Sequence, residues 1–292
     1  MSLRPTLIRL AKGKTKSSTN WLARQTNDYY VRQRLSDPAA FRSRSAYKLL
    51  EINDQWDNFL AKPDVNAVVD LGAAPGGWSQ VVAKSLGWHR AYASDALESD
   101  DTSFVEEEPS YGTPRNAKAG RESVFDPLAI DEESLSYVAK GHGTIIAVDL
   151  LQMQHIDGVQ TLAADFLAPN TDAAIQRMLK AKGSQDGKVD VILSDMAANA
   201  SGHTTRDIEC SLRICEAVLD FAHRHLRTAE SIGRKRGGVM LVKHFAHPEL
   251  DRFRVEHLVP NFNLVKYIKP GSSRAESREG YFLCMGWRGG SL

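Results

Sequence analysis

The stretch VVDLGAAPGGWSQVV, residues 68–82, sets an aspartate and a run of small residues between an apolar strand and a helix. Gly72, Gly76 and Gly77 permit positive φ and carry no side chain to hold a ligand off the backbone. The strand end and the helix N-terminus then form a crevice with free N–H groups, a common seat for a nucleotide-bearing cofactor. Two further charges stand directly behind apolar runs, Asp195 after VILS and Lys243 after VMLV. Open α/β sheets present their ligands at that C-terminal edge. A charge so close to the core needs a partner. A structural ion pair would satisfy both residues, and a place in a ligand site would do so equally.

The glycine loop narrows the choice of cofactor. A dinucleotide fingerprint needs G-x-G-x-x-G, but Ala74 stands where the second close glycine belongs, and no Gly-Lys-Ser follows for a nucleoside triphosphate. What remains is the loop of S-adenosylmethionine enzymes. There Asp70 ends the first strand, and an acid at the end of the second takes the ribose hydroxyls. Asp95 and Asp149 compete for that place. GTIIAVDLLQM is the stronger strand and HRAYASD a marginal one, so Asp149 is assigned. Asp165, in AADFL after the third strand, is placed to meet the adenine amino group. Plain strand-end capping is the alternative for Asp149 and Asp165.

These residues need a scaffold, and the pattern supplies one. Strand-like runs fall at 67–71, 144–149, 159–163, 189–194, 238–243, 264–268 and 280–286. Helical patterns cover SRSAYKLLEINDQW and residues 77–86, 171–182, 206–228 and 248–258. Continuous apolar strands alternating with helices predict an α/β, Rossmann-like fold: a mostly parallel sheet with helices on both faces. The last two strands lack a crossover helix and predict an antiparallel edge hairpin. The organisation expected is a basic arm over 1–40 and an α/β domain over 41–292, with an acidic surface insertion at about 96–140. Residues 1–50 hold eleven Lys or Arg against Asp28 and Asp37, whereas residues 95–133 hold twelve acids against three bases. The two cancel to a net charge of +1. A basic arm suits a polyanion, a solvated tail or a targeting segment. No apolar run approaches the ~18 residues of a membrane span. Cys210, Cys215 and Cys284 form no CxxC pair and read as reduced thiols. The His pairs 223/225 and 244/247 lack further ligands at zinc spacing, so no metal is expected.

The motifs SRSAYKLLEI, VVDLGAAPGGWSQ, IAVDLLQM, DVILSDMAANASG, VKHF and KPGSSRAESREGYFL together resemble the FtsJ/RrmJ family of ribose 2′-O-methyltransferases, and specifically its mitochondrial rRNA branch. The likeness runs from about Ser18 to Trp287, the insertion apart. It implies S-adenosylmethionine as methyl donor, with Gly76 and Trp78 against it, and large-subunit rRNA or a ribosomal precursor particle as partner. It also implies a catalytic set of Lys48, Asp195, Lys243 and Glu279, with Lys243 as the base. A ribose hydroxyl is a poor nucleophile until its proton leaves. A lysine can take that proton only as the neutral amine, which burial and a neighbouring cation favour, and Lys48 could be that cation. Asp195 would orient Lys243, and Glu279 would position Lys48. Taken singly, Lys48 reads as a solvated helix charge and Glu279 as a surface acid.

Arg42, Arg44, Lys266, Lys269, Arg274 and Arg278 flank these motifs and are expected to read RNA phosphates. Trp21, Tyr29 and Tyr30 lie among the charges of the arm, either to stack an unpaired base or to pack the arm onto the domain. The family commonly has M-A-P-N where this chain has M-A-A-N, so Ala198 is expected to loosen that loop. A tRNA anticodon-loop methyltransferase, or an rRNA-binding assembly factor whose methylation is incidental, are the alternative readings. A monomer in the mitochondrial matrix is expected.

Overall fold

Strand alternation decides where every functional side chain in this protein goes. The computed structural model describes residues 29–36, 41–88, 141–181, 186–197, 203–274 and 277–290. Most of the expected basic arm, the acidic insertion, Trp21, Asp95 and Ala198 lie outside the described residues. The described ones fall within one unit, Met1–Trp88 with Gly141–Leu292.

Helices α1 (Tyr29–Ser36) and α2 (Ser45–Gln55) come first, followed by a 3-10 turn at Phe59–Ala61. The alternating part is β1 (Ala67–Leu71), α3 (Gly77–Ser85), β2 (Thr144–Asp149), β3 (Val159–Ala163), α4 (Pro169–Ala181), β4 (Val191–Ser194) and α5 (Thr204–His225). Then come α6 (Ala229–Ile232), β5 (Val239–Phe245), α7 (Pro248–Phe253), a π turn at Arg254–Leu258, β6 (Phe262–Ile268) and β7 (Glu279–Trp287). The seven strands lie in the order β3-β2-β1-β4-β5-β7-β6. β1 to β5 pair in parallel, and β7 runs antiparallel to both β5 and β6. The mostly parallel sheet with an antiparallel edge is thus observed. The first three strands have the expected bounds and the other four differ by a residue or two, and the helix expected over 248–258 changes at Arg254 to a π turn.

Side chains two apart on a strand share a face. On one face Val68, Val191, Leu193, Val239, Leu241, Tyr281 and Leu283 pack with Leu49 and Ile52 of α2 and Val81 and Val82 of α3. On the other, Val69, Ile192, Met240, Val242 and Phe282 pack with α4, α5 and α7. Each fully buried aliphatic side chain contributes about 1.5–3 kcal/mol relative to exposure. Continuing the alternation, Asp70, Asp195, Lys243, Glu279 and Tyr281 must emerge on the α2/α3 face. The register agrees, since Lys243 lies opposite Tyr281 and Phe245 opposite Glu279.

His244 goes to the other face. It is buried, stacks on Phe282 at 3.6 Å between ring centroids, and has no hydrogen-bond partner on either ring nitrogen among the described residues. Burial lowers its pKa to about 4, with the Phe245 backbone and the charge of Asp251 opposing and Arg254 assisting. The unfolded chain titrates this ring near ~6.5. Its contribution to stability is therefore whole above that value and is lost as pH falls through about 4. His244→Phe is expected to flatten the acid side of the melting profile between those limits. Parallel melting curves for the two proteins would show that the ring finds a proton acceptor.

Candidate functional site

α2 and the C-terminal ends of β4, β5 and β7 assemble one bonded cluster. The buried stripe of α2 is Ala46, Leu49, Ile52 and Asn53, and Lys48 sits on it one turn before Ile52. Lys48 is therefore only 8% exposed rather than solvated, and its Nζ lies 2.7 Å from Glu279 Oε1. Lys243 Nζ donates to the Asp195 carbonyl at 2.7 Å and to its Oδ1 at 3.0 Å. Tyr281 donates its hydroxyl to the same Oδ1 at 2.8 Å. Ser45, the first residue of α2, spends its hydroxyl on Asp195 Oδ2 instead of capping the helix. Its carbonyl accepts from the Trp78 indole N–H at 2.8 Å. Thus Ser45 ties the glycine loop to the charged cluster.

The electrostatics follow from these contacts. Burial alone would raise the Asp195 carboxyl, but the charges of Lys243 and Lys48 and the Ser45 bond hold it below the ordinary carboxylate range. Glu279 is likewise pushed up by burial and held down more strongly by Lys48. Burial raises the Tyr281 phenol well above its usual value, with Asp195 adding to the effect, so it stays a donor. The cluster sets two carboxylates, Asp195 and Glu279, against two lysines, Lys243 and Lys48.

The glycine loop abuts it. Gly76 takes φ +107° as it enters α3, and Gly72 takes φ +73°. A Cβ on Gly72 would collide with Met196 and one on Gly77 with Ser43, so these two positions are small because protein atoms press on them. Asp70, fully buried, accepts from Ser79 at 2.6 Å through Oδ2, while Oδ1 has no hydrogen-bond partner among the described residues. Burial raises this carboxyl to about 7; the Ser79 bond opposes, and the charges of Asp195 and Asp149 add. Asp70, Gly72, Trp78 and Asp195 line a cavity of about 20 Å³. A buried acceptor that no described residue satisfies, on a residue lining that cavity, fits a molecule that carries an ammonium group.

Asp149 ends β2 and holds both neighbouring loops, accepting from Ala74 N at 2.9 Å and from Leu151 N at 2.8 Å. It lines a second cavity of about 250 Å³ with Leu151, Met153 and Ala163. Asp165 follows β3, and its Oδ1 accepts from Leu167 N at 2.9 Å. The acids proposed for ribose and adenine thus sit at the ends of adjacent strands.

The six expected phosphate readers divide. Arg42 is committed to backbone: it donates to the carbonyls of Gln154 at 2.7 Å, His155 at 2.5 Å and Pro75 at 3.5 Å. It clamps the glycine loop to the loop after β2, a task that leaves its fork turned toward protein. Arg44 donates to Ser272 O at 2.6 Å. Lys266, Lys269 and Arg278 are exposed, and Arg274 is half-buried. Lys269 donates to Ser277 O at 2.8 Å, and Lys266 lies 5.9 Å from the Trp56 ring centroid.

Glu51 was not anticipated by any motif reading. From α2 its carboxylate accepts from Gly271 N at 2.6 Å and from Ser272 N and Oγ at 3.0 Å. Those bonds hold its acid below the usual range although burial opposes them. Glu51 so fixes the loop that leads into Glu279 and Tyr281. Glu51→Ala should raise the KM for the acceptor several-fold and leave cofactor affinity unchanged, measured by steady-state kinetics and titration calorimetry. Equal losses in both would mean that the whole cluster had shifted.

The family described as FtsJ-like methyltransferase matches residues 41–108 and 134–287. A "Ribosomal RNA large subunit methyltransferase E" of Rhodopseudomonas palustris (strain BisB18) is 38% identical over 94% of this chain and 85% of its own length. The protein of that name from Pseudomonas fluorescens (strain Pf0-1) is 34% identical over 95% of this chain and 99% of its own. A Plasmodium falciparum crystal structure described as a ribosomal RNA methyltransferase shares the fold, with a TM-score of 0.56 at 22% identity, over 86% of this chain and all of the other.

Proposed function

The chain belongs to the FtsJ-like methyltransferase family and is an RNA ribose 2′-O-methyltransferase, and on that premise we propose that its acceptor is a uridine of mitochondrial large-subunit rRNA, with Lys243 as general base. The observation that carries the proposal is the bonded cluster of Lys243, Asp195 and Tyr281 with the Lys48–Glu279 pair, set beside the glycine loop.

The family implies S-adenosylmethionine, and the residues here fit it. Asp70 Oδ1 would take the ammonium of its methionine part. Gly72, Gly76, Gly77 and Trp78 would line that half, Asp149 the ribose and Asp165 the adenine. Bound there, the cofactor supplies a methyl group on a sulfonium, a leaving group that needs no protonation. The protein's task is then to place the acceptor hydroxyl in line and to remove its proton.

Lys243 is oriented for that removal. As a neutral amine it has two N–H groups, and the Asp195 carbonyl and Oδ1 are the two acceptors that take them. Its lone pair is left for the hydroxyl proton. The ammonium formed afterwards is held by the same carboxylate. Tyr281 and Ser45 keep that carboxylate from turning, and Glu279 holds Lys48 in the site.

Large-subunit rRNA as substrate is supported by the names of the bacterial relatives. The mitochondrial assignment is supported by the arm, with five basic residues and no acid among residues 1–16. Mapping 2′-O-methylation in mitochondrial rRNA and tRNA from cells with and without the protein tests both. Loss at one large-subunit rRNA nucleotide is expected; loss in a tRNA anticodon loop would replace the substrate.

A further inference from the structure

From the ring packing on α1, we propose that Tyr29 and Arg32 form a subsite for single-stranded RNA beside the catalytic cluster, with a base stacked on Tyr29 and a phosphate at Arg32. The inference rests on the RNA-methyltransferase reading above and adds a specific contact to it.

The arm's two tyrosines have different surroundings. Tyr30 is packed: its ring lies 5.2 Å from that of Tyr47, which in turn lies 5.7 Å from Phe41, and the Arg44 guanidinium stands 6.0 Å from the Tyr30 centroid. Tyr30 therefore anchors α1 onto α2. Tyr29 meets that anchor at 5.3 Å with the two ring planes 81° apart, and remains 65% exposed. A large, mostly exposed ring held by one aromatic contact has fewer rotamers to lose when a base stacks on it, which is how aromatic platforms for single strands work. Arg32 is exposed and lies three residues on, so it shares Tyr29's helix face. A cation beside an aromatic face is the pairing that follows a backbone while stacking its bases.

Position gives the platform its use. The ring contacts run from Tyr29 through Tyr30 to Tyr47, the residue before Lys48, and Lys48 is bonded to Glu279 in the cluster. A strand whose ribose enters that cluster from the α1 side would pass over Tyr29. Because stacking reads only the π-face of a base, the subsite would hold a neighbouring nucleotide without selecting its identity.

The test compares binding of two 15-nucleotide probes by fluorescence anisotropy: oligouridylate, and a chain of the same length with abasic riboses. Tyr29→Ala should weaken oligouridylate binding about tenfold, Tyr29→Phe should retain it, and neither should alter binding of the abasic chain. Arg32→Ala should weaken both probes and reduce the slope of log affinity against log salt by about one. Unchanged melting midpoints would confirm that the variants fold. If Tyr29→Ala loses nothing, or loses equally on both probes, the subsite is overturned, whatever the methyl transfer to rRNA by the wild type. Conversely, Tyr29-dependent binding of oligouridylate without methyl transfer to large-subunit rRNA would leave the subsite standing and overturn the function it serves.

Discussion

Replacing Lys243 with Arg is expected to slow single-turnover methyl transfer by about 10³-fold, the scale of a positioned general base, while S-adenosylmethionine binds almost normally. The substitution keeps the positive charge beside Asp195 but cannot deprotonate near neutral pH. It thus separates a base from an electrostatic clamp. Lys48→Arg should retain more activity, because a guanidinium can still pair with Glu279 across the 2.7 Å contact. Rates at saturating RNA across pH would decide the matter. Near-wild-type transfer by Lys243→Arg would remove the proton-accepting role and leave placement to carry the reaction.

Asp149→Ala should weaken S-adenosylmethionine binding about 100-fold, as expected when charge-assisted hydrogen bonds to a ligand are lost. An ionised carboxylate offers about four acceptor sites. Ala74 N and Leu151 N occupy two of them, one on each oxygen, so each oxygen keeps a site for a ribose hydroxyl. Asp149→Asn should lie between, since one oxygen survives and the amide would face a backbone N–H. Titration calorimetry with melting midpoints would separate lost ligand contacts from a collapsed loop. A larger loss from Asp95→Ala than from Asp149→Ala would transfer the ribose to the other acid.

The residues differ in how plainly the sequence announces them. Asp195 and Lys243 are visible because a charge directly after VILS or VMLV has nowhere to go but the sheet's C-terminal edge. Lys48 and Glu279 are invisible taken singly. Each resembles a surface charge until β7 brings them together, and only family likeness singled them out. Tyr281 was within reach: two residues beyond Glu279 on a strand, it had to share that residue's face. Arg42 shows the reverse difficulty. Beside a basic arm it looks like a phosphate reader, yet three backbone carbonyls claim its guanidinium, and carbonyl positions cannot be read from side-chain types. Glu51 belongs to the same class, because its acceptors are the backbone N–H groups of a loop distant in sequence. The mostly parallel sheet followed from strand–helix alternation, whereas the strand order, with β7 inserted between β5 and β6, depends on pairing that spacing alone does not specify.

The central claim is that this cluster moves a methyl group onto a ribose oxygen of large-subunit rRNA. The most direct measurement incubates the purified protein with radiolabelled S-adenosylmethionine and unmethylated large-subunit rRNA, then digests the RNA to nucleosides. The account predicts label in a single 2′-O-methylated nucleoside, whose 3′ linkage in the undigested RNA resists alkaline cleavage, and no label with Lys243→Arg. Label on a base, or equal labelling by wild type and Lys243→Arg, would contradict it.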